Sequence, residues 1–219
     1  MTGDVADLFD YRQLRETAVA TMTVVDVAEP IVVLGSAQPL GTLRHDATVG
    51  PVRRRRGGGG VVLVQPDDLW VDWWIPARDP RWSDDVRAGA VTAGRWWRDA
   101  LKVLVTGDVE VHEGPLSGAA QHRVVCFAGR GPGEVFVDGR KAVGLTQWRV
   151  REGVLLSSVL PARSSAALVG KLAIAPEGLA DALDHHTRSS LGLDDAAAVV
   201  DLLARASGSP AVLRQRLLP

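Results

Sequence analysis

The sequence predicts an α+β (mixed α/β) fold built on a mainly antiparallel mixed sheet backed by helices. Three observations predict it. Short, β-branched apolar runs follow one another through most of the chain. Helical periodicity is confined to the two ends and one central stretch. A tight-turn signal, Asp138-Gly139, joins two of the apolar runs. The 219 residues are 46% apolar and 23% charged, ordinary values for a folded chain that buries a real core.

The elements follow in order. Residues 5–22 predict an opening helix with Leu8, Leu14 and Ala18 toward the core. Residues 31–34 are wholly apolar and read as a buried strand, stopped by the turn signal Gly35-Ser36. Residues 53–60 form a basic, glycine-rich loop, and 61–64 a second buried strand. Residues 69–75, rich in Trp and Val, make a third strand that Pro76 ends. In 84–105, Val86, Ala90, Val91, Trp97, Leu101 and Leu104 recur at helical spacing, with Ser83 as N-cap and Asp84 and Asp85 in the first turn. Strands are expected at 103–111, 124–127, 134–137, 142–146 and 154–160. Helices are expected at 177–186 and 194–206, so residues 162–219 read as a helical C-terminal segment of one domain spanning 1–219.

Composition excludes several function classes. A net charge of −1 argues against a nucleic-acid binder. No apolar run reaches the roughly 18–20 residues that span a bilayer, and the acidic N-terminus does not read as a signal peptide. One cysteine, Cys126, precludes an intramolecular disulfide, so a soluble, cytoplasmic protein is expected. The basic residues comprise 22 arginines and three lysines, so any chemistry needing a lysine amine falls on Lys102, Lys141 or Lys171. His185-His186 lacks the i, i+4 spacing of helical metal ligands, His45, His112 and His122 are scattered, and no metal constellation is expected. Most of the seven tryptophans read as core, and Asp67, Asp68, Asp84 and Asp85 as a solvated face.

The loop Arg53-Arg54-Arg55-Arg56-Gly57-Gly58-Gly59-Gly60 carries the chemical signal. Consecutive glycines let a ligand lie against backbone N–H groups, which can cradle an anion. Adjacent guanidiniums add charge-assisted bonds to phosphate or carboxylate. Gly60 is followed by Val61 and not by Lys-Ser/Thr, and the loop opens a strand, so it matches neither standard nucleotide fingerprint.

The order of these pieces resembles the lipoate–protein ligase and octanoyltransferase family, part of the biotin/lipoate ligase catalytic domains. The resemblance rests on Arg53-Arg54, Gly57-Gly58-Gly59 and Val61 as the family's Arg-Arg-x-x-Gly-Gly-Gly-x-Val stretch. It rests equally on Gly139-Arg140-Lys141, Gly144 and Gln147 as its Gly-Arg-Lys-x-x-Gly-x-x-Gln stretch, with Gln38 matching an upstream Gly-x-x-Gln segment. It implies that Arg53, Arg54 and 57–61, with Gln38, Gly139, Gly144 and Gln147, bind the acyl substrate and its activated head. It also implies that Lys141 faces the reacting carbonyl or phosphate.

Two routes stay open. A ligase would use ATP and Mg to turn lipoate or octanoate into an acyl adenylate. A transferase would need no cofactor and would carry the octanoyl group as a thioester on Cys126, since a Cys-Phe pair precedes the Gly-Arg-Lys stretch in one branch of octanoyltransferases. A thiol next to Lys141 and the arginines could be activated, yet apolar strands are also the commonest home of an inert cysteine. The implied partners are lipoyl-domain carrier proteins (a 2-oxoacid dehydrogenase E2 or the glycine cleavage H protein) and, for the transferase, acyl carrier protein. This chain departs from the family at Arg56 and Gly60, where small residues such as Ser and Ala are usual, and it lacks the histidine-bearing segment after the lysine. A diverged acyl- or adenylate-binding module is the third reading.

Overall fold

The computed structural model describes residues 5–46, 50–119, 123–183, 189–209 and 212–217. Helix α1 (Tyr11–Glu16) is only six residues long and is capped by Asp10. The predicted opening helix is thus corrected. Residues 21 and 22 already belong to strand β1 (Thr21–Val27), whose β-branched run favours an extended backbone over a helix, and Ala18 is exposed. Strand β2 (Ile31–Leu34) lies where expected. Strand β3 (Val52–Arg54) takes the first two arginines out of the loop, and β4 (Val62–Val64) follows the glycines. Strand β5 (Leu69–Pro76) is buried along its whole length.

The central helix α2 (Val86–Leu104) is capped by Asp85, whose carboxylate accepts from the N–H groups of Arg87 and Ala88; Ser83 lies outside it. The helix keeps residues 103 and 104, so the strand expected at 103–111 shrinks to β6 (Val109–Val111). Residues 124–127 form no regular strand. Val125 bridges Val61, and Cys126–Ala128 is a 3₁₀ turn. Strands β7 (Val135–Val137) and β8 (Arg140–Val150) meet in the predicted two-residue hairpin. Asp138 (φ 49°) and Gly139 (φ 76°) both adopt the left-handed backbone such a turn requires. Strand β9 (Gly153–Leu160) returns alongside β8.

Beyond it lie helix α3 (Leu179–Ala182), helix α4 (Ala196–Ser207) and a final strand β10 (Val212–Leu217). The C-terminal segment therefore ends in a strand that the helical expectation omits. His122 and the His185-His186 pair lie outside the described residues.

Seven strands form the main sheet in the order β10-β1-β5-β9-β8-β7-β6, antiparallel except for the parallel β1–β10 pair. A second sheet runs β3-β2-β4, with β2–β3 parallel. Alternation along β5 explains its complete burial. Leu69, Val71, Trp73 and Ile75 pack with Trp97 and Leu101 of α2 and Leu203 of α4 on one face. On the other, Trp70 packs with Val33, Leu63 and Phe127, and Trp74 with Tyr11 and Leu155. Trp97 Nε1 donates to Ser158 Oγ at 2.8 Å, so the central indole is satisfied inside the core. No helix among the described residues is long and apolar enough to cross a membrane.

Candidate active site

The glycine loop is held from within by its own arginines. Arg55 is 6% exposed. Its Nη2 donates to the carbonyls of Gly58 (2.8 Å) and Gly60 (2.7 Å), its Nε to Gly58 (3.2 Å), and its Nη1 to Val33 (3.2 Å). No carboxylate among the described residues pairs with it, and burial pulls its pKa below the ordinary guanidinium value. Arg54 Nη1 donates to the carbonyls of Gly35 and Gln38, pinning the turn after β2. Arg56 pairs with Asp7 (2.7 Å) and lies over the Tyr11 ring. Gly59 sits at φ 93°, a conformation other residues rarely take. At Gly60 a Cβ would come within 2.6 Å of the Arg123 carbonyl, because residues 123–125 cross directly over the loop. That crossing explains glycine where the resembled family has a small side chain.

The loop forms one wall of a cleft of about 790 Å³, within the range of sites for cofactor-sized ligands. Gly58, Gly59 and Gly60 line it on one side, and Asp85, Val86 and Arg87 at the start of α2 on another. Lys141 and Glu134 stand at its base. Lys141, the second residue of β8, is 4% exposed. Its Nζ lies 2.6 Å from Glu134 Oε1 and donates to the carbonyls of Cys126 (2.7 Å) and Gly129 (2.8 Å). Three acceptors thus meet the three N–H donors of the ammonium. The Phe127 ring lies 5.5 Å from Nζ, closing the apolar side.

Glu134 is 5% exposed and also accepts from the Gly131 N–H at 2.5 Å. Burial raises its pKa above the usual carboxylate range, partly offset by Lys141 and by backbone N–H groups. Cys126 lines the same cleft. Burial pushes its thiol pKa up, with Lys141 and Arg55 pulling the other way.

Cys126, Leu145 and Thr146 also border a second, small crevice between the two sheets. Its walls are apolar: Val33, Val62 and Val64 from the small sheet, Trp70, Gly144 and Val159 from the large one. Arg55 and Ser157 are among its polar boundaries. The free space there is only about 30 Å³, room for about one water molecule.

The structure therefore gathers Lys141, Cys126, Gly58, Gly59, Gly60 and Gln147 around one cleft, with Gly144 on the second crevice. Gly57 is buried next to the loop, and Val61 is buried in its bridge to Val125. Arg53 and Arg54 sit on β3, outside the cleft lining, and their described bonds go to backbone carbonyls. Gln38 spends both ends of its amide on the fold: Oε1 accepts from Gly35 N–H and Nε2 donates to the Val124 carbonyl. Gly139 forms the hairpin turn, away from the cleft.

The sequence reading missed Glu134, Arg87, Arg123 and Thr146 as site residues, all of which line the cleft. Glu134 alone left a signal, an acid opening an apolar strand across a hairpin from a lysine. The cations facing the cleft are Lys141 with Arg87 and Arg123, and not the Arg53-Arg54 pair. Asp85, expected on a solvated face, is a helix cap at the cleft wall. Among the described residues no group of three or more side chains could hold a metal ion.

No protein-family model matches the sequence, and no curated protein matches it. Solved structures match over nearly the whole chain. A lipoate–protein ligase A bound with ATP shares 15% identity at a TM-score of 0.71, covering 100% of this chain and 90% of that one. A putative lipoate protein ligase from T. acidophilum with bound lipoic acid shares 14% identity at 0.66, with the same coverage. A bi-partite lipoate protein ligase from Thermoplasma acidophilum, described with its E2 lipoyl domain, shares 15% at 0.70, covering 95% of this chain and 80% of that one. At these identities the likeness establishes the fold.

Proposed function

We propose that this chain, which has the fold of lipoate–protein ligases, attaches a lipoyl or octanoyl group to a lysine of a lipoyl-domain carrier protein through an acyl adenylate. One observation carries the reading. A buried ammonium, Lys141, and the glycine loop border the same cleft, and an apolar crevice shares Cys126, Leu145 and Thr146 with the lining of that cleft. The cleft has room for a nucleotide, and the crevice has the apolar walls an acyl chain needs, each buried CH₂ contributing about 0.8 kcal/mol. With so little free space at present, the two sheets must part locally for the chain to enter. The ATP-bound and lipoic acid-bound neighbours support these two assignments.

In the adenylation step the acid's carboxylate attacks the α-phosphate, and Lys141 offsets charge developing on the phosphoryl and acyl oxygens. To do so its ammonium must exchange one of its three protein acceptors for substrate. Arg87 and Arg123, which line the same cleft, would pair with the phosphates. Mg²⁺ would arrive with the nucleotide and be held chiefly by phosphate oxygens, as is usual for this ion. The carrier would be an E2 lipoyl domain, as in the Thermoplasma neighbour, or a glycine cleavage H protein, with the reaction in the cytoplasm.

A second reading is favoured by the position of Cys126 at the junction of cleft and crevice, where a thioester could form. Acyl carrier protein would then be the donor and ATP unnecessary. The raised thiol pKa counts against it.

Intact-mass measurement of a lipoyl domain tests both routes. Octanoate or lipoate with ATP and Mg²⁺ should add the acyl mass, and Cys126→Ser should retain that labelling. ATP-independent transfer from octanoyl-acyl carrier protein that vanishes in Cys126→Ser selects the cysteine route. No added mass with either donor sinks acyl transfer and leaves a binding module.

A further inference from the structure

Acylating a lysine requires the acceptor amine to lose its proton. At neutral pH nearly all of a solvent-exposed lysine is ammonium, with a pKa of about 10.4. A group in the cleft that accepts that proton removes the penalty. Among the described residues two carboxylates line the cleft. Asp85 is exposed to solvent, and its Oδ1 caps α2, accepting at 2.7 and 3.0 Å from the N–H groups of Arg87 and Ala88. Glu134 is the other. It lies beside Lys141, to which the proposed function gives the reacting carbonyl, and it is almost wholly desolvated.

We propose that Glu134 is the catalytic base that takes the proton from the carrier lysine as that lysine attacks the acyl group. The proposal rests on the acyl-transfer reading above, but holds for either donor.

The electrostatics of the cleft favour this role. The charged and titratable groups that share its lining are Lys141, Cys126, Asp85, Arg87 and Arg123. The Lys141 ammonium, 2.6 Å from Glu134, repels a second ammonium and so favours the neutral amine in an arriving lysine. Burial raises the affinity of Glu134 for a proton, bringing it toward the working range of a base.

The step balances. The acceptor ammonium gives one proton to a Glu134 oxygen, and the freed lone pair forms the C–N bond. The C–O bond to the adenylate phosphate, or the C–S bond of a thioester, breaks with its electron pair on the leaving group. The second nitrogen proton goes to solvent or to the departing thiolate. Neutralising Glu134 also removes the countercharge of Lys141. The ammonium is thereby released to meet the leaving anion at the moment it forms, which couples deprotonation to departure.

A competing nucleophile tests the role. Hydroxylamine is neutral at pH 7.5 and captures activated acyl groups without a base. Wild type and Glu134→Gln, whose amide can still accept from Gly131, are given octanoate, ATP and Mg²⁺, and separately octanoyl-acyl carrier protein. Each is offered a lipoyl domain or hydroxylamine. Glu134→Gln should transfer to the lipoyl domain at least about a hundredfold more slowly, while hydroxamate forms within a few-fold of wild type. Its residual lysine transfer should climb about tenfold per pH unit toward the acceptor's pKa, where wild type levels off.

Equal loss of both products in Glu134→Gln that is folded at the assay temperature, its circular dichroism matching wild type there, would make Glu134 a positioning residue for Lys141 and overturn the proposal. So would unimpaired lysine transfer. A wild type that yields neither product with either donor rejects the acyl-transfer reading itself.

Discussion

Replacing Lys141 by Met removes a cation and leaves its partner behind. Glu134 would then keep only backbone N–H donors at 5% exposure, from Gly131 and Leu145. Breaking a buried ion pair from one side costs about 3–5 kcal/mol, because the surviving charge stays desolvated. For a chain of this size each kcal/mol moves the melting temperature by about 2–4 °C, so Lys141→Met should melt roughly 6–20 °C below wild type at pH 8.

The pH dependence has a definite sign. The folded-state pKa of Glu134 lies above its unfolded value, so its contribution is most favourable at low pH and is lost as pH rises through the raised value. Lys141 limits that rise, and its removal extends the loss upward in pH. Lys141→Met should accordingly lie closer to wild type at pH 5 than at pH 8. The double variant Lys141→Met/Glu134→Gln should recover more than half of the deficit, since no charge is left uncompensated. Urea or thermal unfolding of the four proteins at both pH values gives the full cycle. A single-variant loss below about 1 kcal/mol that does not vary with pH, or a double variant no better than the single, would refute the reasoning.

Other outcomes follow from the same coordinates. Asp72 is buried under Trp70 and Ser157, and burial lifts its pKa from 3.8 to about 7. The stability it lends is present below about pH 4 and lost by about pH 7, so Asp72→Asn should flatten the melting profile across that window, by about 4 kcal/mol at most. Alkylation of Cys126 by iodoacetamide at pH 7.5 should run at least about tenfold slower than that of free cysteine, because burial raises the thiol; a rate equal to free cysteine would contradict this. Gly60→Ala forces a methyl against the Arg123 carbonyl and should cost about 1–3 kcal/mol by thermal unfolding, with weaker nucleotide binding by calorimetry.

The sequence disclosed what depends on local pattern. Asp138-Gly139 set the hairpin that carries Lys141, and the 3.6-residue recurrence of Ala90, Trp97 and Leu101 set α2. It concealed what depends on distant partners. Strand β1 was hidden by a helical pattern upstream that the chain abandons after six residues, and β10 shows its identity only in pairing with β1. Residues 124–127 look like a strand by composition, yet they join a ladder at one bridge alone, Val125 to Val61. The four arginines drew attention as ligands by charge alone. Three dimensions show Arg54 and Arg55 binding backbone carbonyls and Arg56 binding Asp7, which no spacing rule could reveal. Glu134 was passed over because a single acid at a strand start is ordinary until its neighbours are known.

The parallel pairing of β1 with β10 has a consequence for how the chain assembles. Met22 aligns with Val212, partners about 190 positions apart along the chain. On a ribosome, β1 therefore emerges long before its outer neighbour exists. Until then it can dock only on β5, with its other edge open to any passing strand. The sheet is thus completed only when residues 212–217 pair with β1, and that six-residue strand acts as its closing seam. Nascent chains stalled before residue 212 should aggregate more readily than chains that include β10, although every cleft residue named above has already been made.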